Sequence, residues 1–138
     1  MGVIETSIKI NSTSEKVWEV VSDIDNEPKF WKGTKEVRNI SKEGNTVIRE
    51  IVIAFRDQKC LQEVTMHPKE KIVAVFTKGI INGRKTIKLS PQGNQTLLEV
   101  TWDIQLSGLM SMFTGMIKKH IKSGTDLALQ SIKEELEK

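Results

Sequence analysis

The stretch from Thr34 to Leu106 limits the folds open to this 138-residue chain more than any other feature. It reads as six consecutive strands, at 34–41, 46–55, 59–66, 71–78, 84–90 and 96–106, with no helix between them. Turn chemistry separates them at Lys42–Asn45, Arg56–Gln58, His67–Glu70, Ile81–Gly83 and Pro91–Asn94. Turns spaced roughly 10–14 residues apart predict an antiparallel meander rather than strand–helix–strand units. A seventh strand precedes it, because Ile4, Thr6, Ile8 and Ile10 alternate with Glu5, Ser7 and Lys9.

Helices flank the meander on both sides. Ser12 and Glu15 stand at capping-box spacing ahead of an amphipathic segment carrying Val17, Trp18, Val20, Val21 and Ile24. A second short helix is expected from Glu27 to Lys32, entered through Pro28 and ended by Gly33. Roughly the last 30 residues form a long helix, on which Leu109, Met112, Phe113, Met116, Ile117, His120, Gly124, Leu127, Ala128 and Ser131 project within about 160° of arc. Gly115 and Gly124 each cost about 1 kcal/mol in a helix relative to alanine, and imply close approach, a kink or room for a guest. The fold class is therefore α+β, a seven-stranded antiparallel sheet with two short helices after strand 1 and a long C-terminal helix. A sheet of that size curls, and a straight helix laid across its concave face leaves a chamber.

Composition excludes several alternatives. A hydrophobic fraction of 38% argues against disorder. The net charge of +3 is spread over Lys32/Lys35/Arg38, Lys69/Lys71, Arg84/Lys85/Lys88 and Lys118/Lys119/Lys122, which read as solvated faces, not a nucleic-acid surface. The opening residues lack a signal-peptide pattern, and no apolar run suits stable membrane insertion. The single cysteine, Cys60, gives no internal disulfide, and a cytoplasmic location is expected. Cys60, His67 and His120 lack metal-ligand spacing, so neither a metal site nor a cofactor is expected.

Strand parity and helix angle select the candidate ligand contacts. Arg49 shares a parity with Val47, Ile51 and Ile53, and an inward arginine requires a partner, either a carboxylate from a neighbouring strand or an anionic ligand group. Cys60, Gln62, Val64 and Met66 form the inward set on the next strand, with Gln62 as a polar handle. Trp102 lies on the clearest inward face, with Leu98, Val100, Ile104 and Leu106. Trp31 is placed to cap the cavity entrance, and Met112, Phe113, Met116 and His120 to line the helix side. His120 is the candidate catalytic residue, as a general base or a hydrogen-bond donor.

The opening Ile8–Asp23, with its alternating strand, polar cap and Val17-Trp18 pair, resembles the START/polyketide-cyclase superfamily. Pro28-Lys29-Phe30-Trp31-Lys32 and the C-terminal helix extend the resemblance over the whole chain. It implies a helix-grip fold for residues 1–138 as one START-like domain, with a deep hydrophobic pocket. The expected function is binding or transport of a small hydrophobic ligand: a lipid, an isoprenoid quinone or a polyketide-like aromatic. A cyclase or dehydratase using the same cavity is the enzymatic alternative. A protein-interaction module resembling the chaperone-ATPase activators is a third. Binding is favoured over catalysis because the inward acid/base candidates are few and the chain has no tyrosine.

Overall fold

The computed structural model describes residues 2–138. Seven strands, β1 (Gly2–Ile10), β2 (Thr34–Glu43), β3 (Thr46–Ile53), β4 (Lys59–His67), β5 (Lys71–Lys78), β6 (Ile81–Gln92) and β7 (Gln95–Leu106), form one antiparallel sheet. Its order is β1-β7-β6-β5-β4-β3-β2, so β2 through β7 follow one another as a meander and the first strand closes against the last. Helices α1 (Ser14–Val21) and α2 (Glu27–Phe30) fill the connection from β1 to β2, and α3 (Thr114–Glu137) follows β7. The expected helix-grip α+β architecture is thus the observed one.

Period 2 explains which face is buried. Val47, Arg49 and Ile51 of β3, Cys60, Gln62 and Val64 of β4, and Ile72, Ala74 and Phe76 of β5 all turn inward. Residues inward on β7 pack beneath α3, whose own buried stripe is Ile117, Thr125, Ala128, Leu129 and Ile132. The core falls into two apolar clusters. One surrounds Ile10, Val17, Leu98, Leu129 and Ile132, and the other surrounds Ile51, Cys60, Phe76, Ile104 and Ile117. Trp102 packs against both.

Local chemistry departs from expectation in three places. Ser12 does not cap α1; the hydroxyl of the fully buried Thr96 donates to the Ser12 carbonyl at 2.9 Å and lies 3.0 Å from the Ser14 hydroxyl. The polar linker is thereby fastened to β7, not folded back on the helix end. The turn into β6 is made by Gly79 at φ 128°, two residues ahead of the predicted turn. Gly83 therefore lies inside β6, at φ 118°, where a Cβ would collide with the Asp103 carbonyl oxygen of β7.

The third departure rotates the C-terminal helix. Residues Gly108–Phe113 wind as a 3₁₀ helix, and Phe113, with φ −99° and ψ 13°, breaks the phase before α3 begins. Relative to the projection from sequence, the buried stripe of α3 is turned by about 100°, roughly one residue step. Leu109 and Met112 are consequently 79% and 77% exposed, and Met116 is 46% exposed.

Candidate ligand site

Two of the spaces beside the sheet hold candidate contacts. One is a small, nearly closed cavity with charged groups set in a mainly apolar wall, and the other an open apolar groove.

The closed cavity, of about 30 Å³, is bounded by Val20, Val21, Ile24, Glu27, Trp31, Arg49, Lys85 and neighbouring apolar side chains. That volume is about one water's worth of space. Arg49, 2% exposed, organises it. Its Nε donates to Gln62 Oε1 at 2.8 Å across the β3–β4 register, its Nη1 to the Ile24 carbonyl at 3.1 Å, and its Nη2 to Glu27 Oε1 at 2.6 Å. Thr34 Oγ1 donates to the other Glu27 oxygen at 2.7 Å. The arginine does have a carboxylate partner, but it comes from α2 and not from a neighbouring strand. Burial alone would raise the Glu27 carboxyl. The charges of Lys85 and Arg49, with hydrogen bonds from Arg49 and Thr34, outweigh it and hold that pKa down at about 2.

Lys85 is the residue that sequence reasoning missed. Read as part of a solvated basic cluster, it is only 5% exposed and lies inward on β6, opposite Trp102 of β7 and Ala74 of β5. Its Nζ sits 3.3 Å from the centre of the Trp31 ring and 4.9 Å from that of Trp102. Burial lowers its pKa, Glu27 opposes that effect and Arg49 adds to it, leaving the ammonium at about 8. Strand parity carries the signal: Lys85 alternates in phase with Ile87 and Leu89, both buried.

The open groove holds about 480 Å³ between β3, the start of β6 and the first half of α3. Ile53, Ala54, Phe55, Ile81, Ile117 and Leu127 give it an apolar wall, with Lys32 and His120 among its polar members. Gly124 also lines it, and a Cβ at that position would meet no atom within 4 Å, so of the expected alternatives close approach does not apply there. Trp31, expected as an entrance cap, is buried at the end of α2, edge-on to Trp102 at 6.5 Å between ring centres. Its indole lines the closed cavity, while Lys32 and Gly33 line the groove.

The remaining candidates sort by position. Val64 lines the closed cavity, and Ile51 lies in the second apolar cluster. Trp102 stacks on Phe76 at 6.2 Å and donates from Nε1 to Thr125 Oγ1 at 3.0 Å, which explains the threonine in the buried stripe. Phe113 packs on Phe55 at 6.4 Å. His120 is exposed and sits on the groove's lining, not at the centre of an inward face. Met112, on the 3₁₀ segment, and Met116, on the side of α3 opposite its buried stripe, line neither space and face solvent.

A curved seven-stranded sheet gripping a long helix, with a charge network at one end and an apolar groove beside it, defines a helix-grip protein. The family profile described as "Polyketide cyclase / dehydrase and lipid transport" matches residues 1–137, and the chain belongs to that family. No curated protein matches the sequence. Among solved structures, a protein from Thermus thermophilus superposes with a TM-score of 0.83 at 14% identity, covering 98% of this chain and 97% of that one. The ZhuI aromatase/cyclase from Streptomyces sp. R1128 gives 0.81 at 13% identity, over 99% and 93%. A START superfamily protein from Mycobacterium smegmatis gives 0.69 at 15% identity, over 94% and 98%. At such identities the likeness is one of fold.

Proposed function

We propose that the protein binds one small, largely apolar molecule in the groove between its sheet and α3, as a carrier or sensor. The observation that carries this reading is the groove itself. Its volume of about 480 Å³ falls within the range of small-molecule sites, and its walls are mainly apolar with a few polar groups at the edge. Leaving Gly124 unfilled within a helix sacrifices about 1 kcal/mol relative to alanine, which a protein with a solid core has no reason to do. Membership of a family described by lipid transport as well as cyclisation supports it.

Native mass spectrometry of freshly purified protein, followed by denaturing extraction, tests the reading. One apolar molecule per chain is expected, either co-purified or taken up from an added panel of lipids, quinones and aromatic polyketide analogues. Failure to hold any member of that panel would contradict it.

A cyclase or dehydratase is the second reading, favoured by a lysine whose pKa near 8 suits proton transfer and by His120 on the groove's lining. It predicts consumption of a linear polyketide analogue, with loss of turnover but not of binding in Lys85→Met or His120→Ala.

A further inference from the structure

Lys85 makes none of the hydrogen bonds or ion pairs found among the described residues; the ion pair at this end of the sheet is Glu27–Arg49. Yet no fully sealed side-chain nitrogen or oxygen there lacks a partner. The Lys85 ammonium is therefore not walled in: it faces the closed cavity that it lines, gripped from the sides by two indole rings. Holding a cation by π-faces leaves N–H donors free for something else.

The charges around it have one sign to spare. Glu27 pairs directly with Arg49, at 2.6 Å, and is the one carboxylate shared by Arg49 and Lys85, so the buried cluster keeps one net positive charge in low-dielectric surroundings. Asp23 also lines the cavity, but it is exposed, accepts from Asn26 Nδ2 at 2.6 Å, and is screened by solvent. A buried cluster with a net positive charge is costly, and an anion reaching the Lys85 ammonium completes it.

We propose that the ligand is an apolar acid whose carboxylate is anchored by Lys85, with its hydrocarbon part in the groove. This rests on the groove being the binding site. Trp31 is the door between the two spaces: its indole covers Lys85, and the residues that follow it line the groove. Turning that ring aside joins them. The carboxylate then takes the Lys85 hydrogen bond, and Trp31 and Trp102 flank the headgroup.

The test uses matched acid and alcohol probes, dodecanoate with dodecan-1-ol and naphthalene-2-carboxylate with 2-naphthylmethanol, titrated calorimetrically into wild type and Lys85→Met. Wild type is expected to prefer the acid of the pair that fits by about tenfold or more, the worth of a charge-assisted hydrogen bond. Lys85→Met is expected to keep the alcohol and lose the preference. Equal affinity for acid and alcohol in wild type, or a preference that survives Lys85→Met, would overturn the anchor and leave the groove standing. Binding of no probe by wild type would overturn both. A pH series on wild type needs no variant. The charged groups facing Lys85 are Glu27 from α2 and Arg49 from β3, with Asp23 at the outer wall, and Glu27 stays ionised far below neutrality. Acid affinity should hold up to about pH 8 and then fall as free Lys85 loses its proton. A preference unchanged from pH 7 to about pH 10 would overturn the anchor.

Discussion

The nearly closed end and the open groove share the concave side of the sheet and apolar walls, but only the closed end holds a buried charge network. At the polar end, Arg49 commits its guanidinium to Gln62, the Ile24 carbonyl and Glu27, so three elements are locked to one side chain. In the groove, no comparable lock joins β3 to α3 among the described residues: apolar side chains line an unfilled space beside Gly124. Rigidity and room are therefore segregated, one space ordering the short helices and the other left to accept a guest. Lys85 and Trp31 stand at the junction.

Breaking the polar lock should have the largest effect. Arg49→Met strands the Glu27 carboxylate, and loss of one partner from a buried pair costs about 3–5 kcal/mol. Urea denaturation should show that loss, and should show most of it recovered in the Glu27→Leu/Arg49→Met double variant. A single variant within about 1 kcal/mol of wild type would mean that the lock contributes little.

Next comes the titration of Lys85. Its folded pKa lies below that of an unfolded lysine, the reverse of the usual stabilised case. Below about pH 8 both states are protonated and the full cost of burying the charge is felt. As pH rises from about 8 toward 10.5 the folded state sheds the proton first, and stability should rise by up to about 3 kcal/mol relative to Lys85→Met. Parallel pH curves for the two proteins would refute the depressed pKa.

Groove variants should produce smaller changes of opposite character. Gly124→Ala should stabilise the protein by about 1 kcal/mol through helix propensity alone. Gly124→Leu should project into the groove and weaken ligand uptake without unfolding the chain. His120→Ala, at an exposed position, should change stability by no more than about 0.5 kcal/mol. A drop well beyond that in thermal unfolding would show that the imidazole is structural.

Much of this is legible in the sequence, and the reasons for the rest are physical. The sheet is readable because alternation is a strong signal: parity with Val47 and Ile51 points Arg49 inward, and it is inward. Lys85 carries the same signal but is masked by Arg84 and Lys88, whose charges make a solvated patch the simpler reading. Glu27 is hidden because α2 is a single turn, too short for periodicity to define a face. On α3 the period is right and the phase wrong. The 3₁₀ segment advances by about 120° per residue, so Leu109 and Met112 cannot be projected from the same wheel as Ile117 and Ile132, and including them pulls the projected stripe toward Met116 and away from Thr125 and Leu129.

The most direct test of the central claim, that the groove and its polar junction are one ligand site, is the indole region of a ¹⁵N-correlated NMR spectrum during titration with the acid probe that binds. The chain has three tryptophans, and each gives its own indole N–H resonance. Trp31 and Trp102 should shift together with the backbone amides of 53–55 and 117–127, while Trp18, on α1 and outside both spaces, should stay in place. Movement of Trp18 alone, or of surface amides with Trp31 and Trp102 unmoved, would contradict the account.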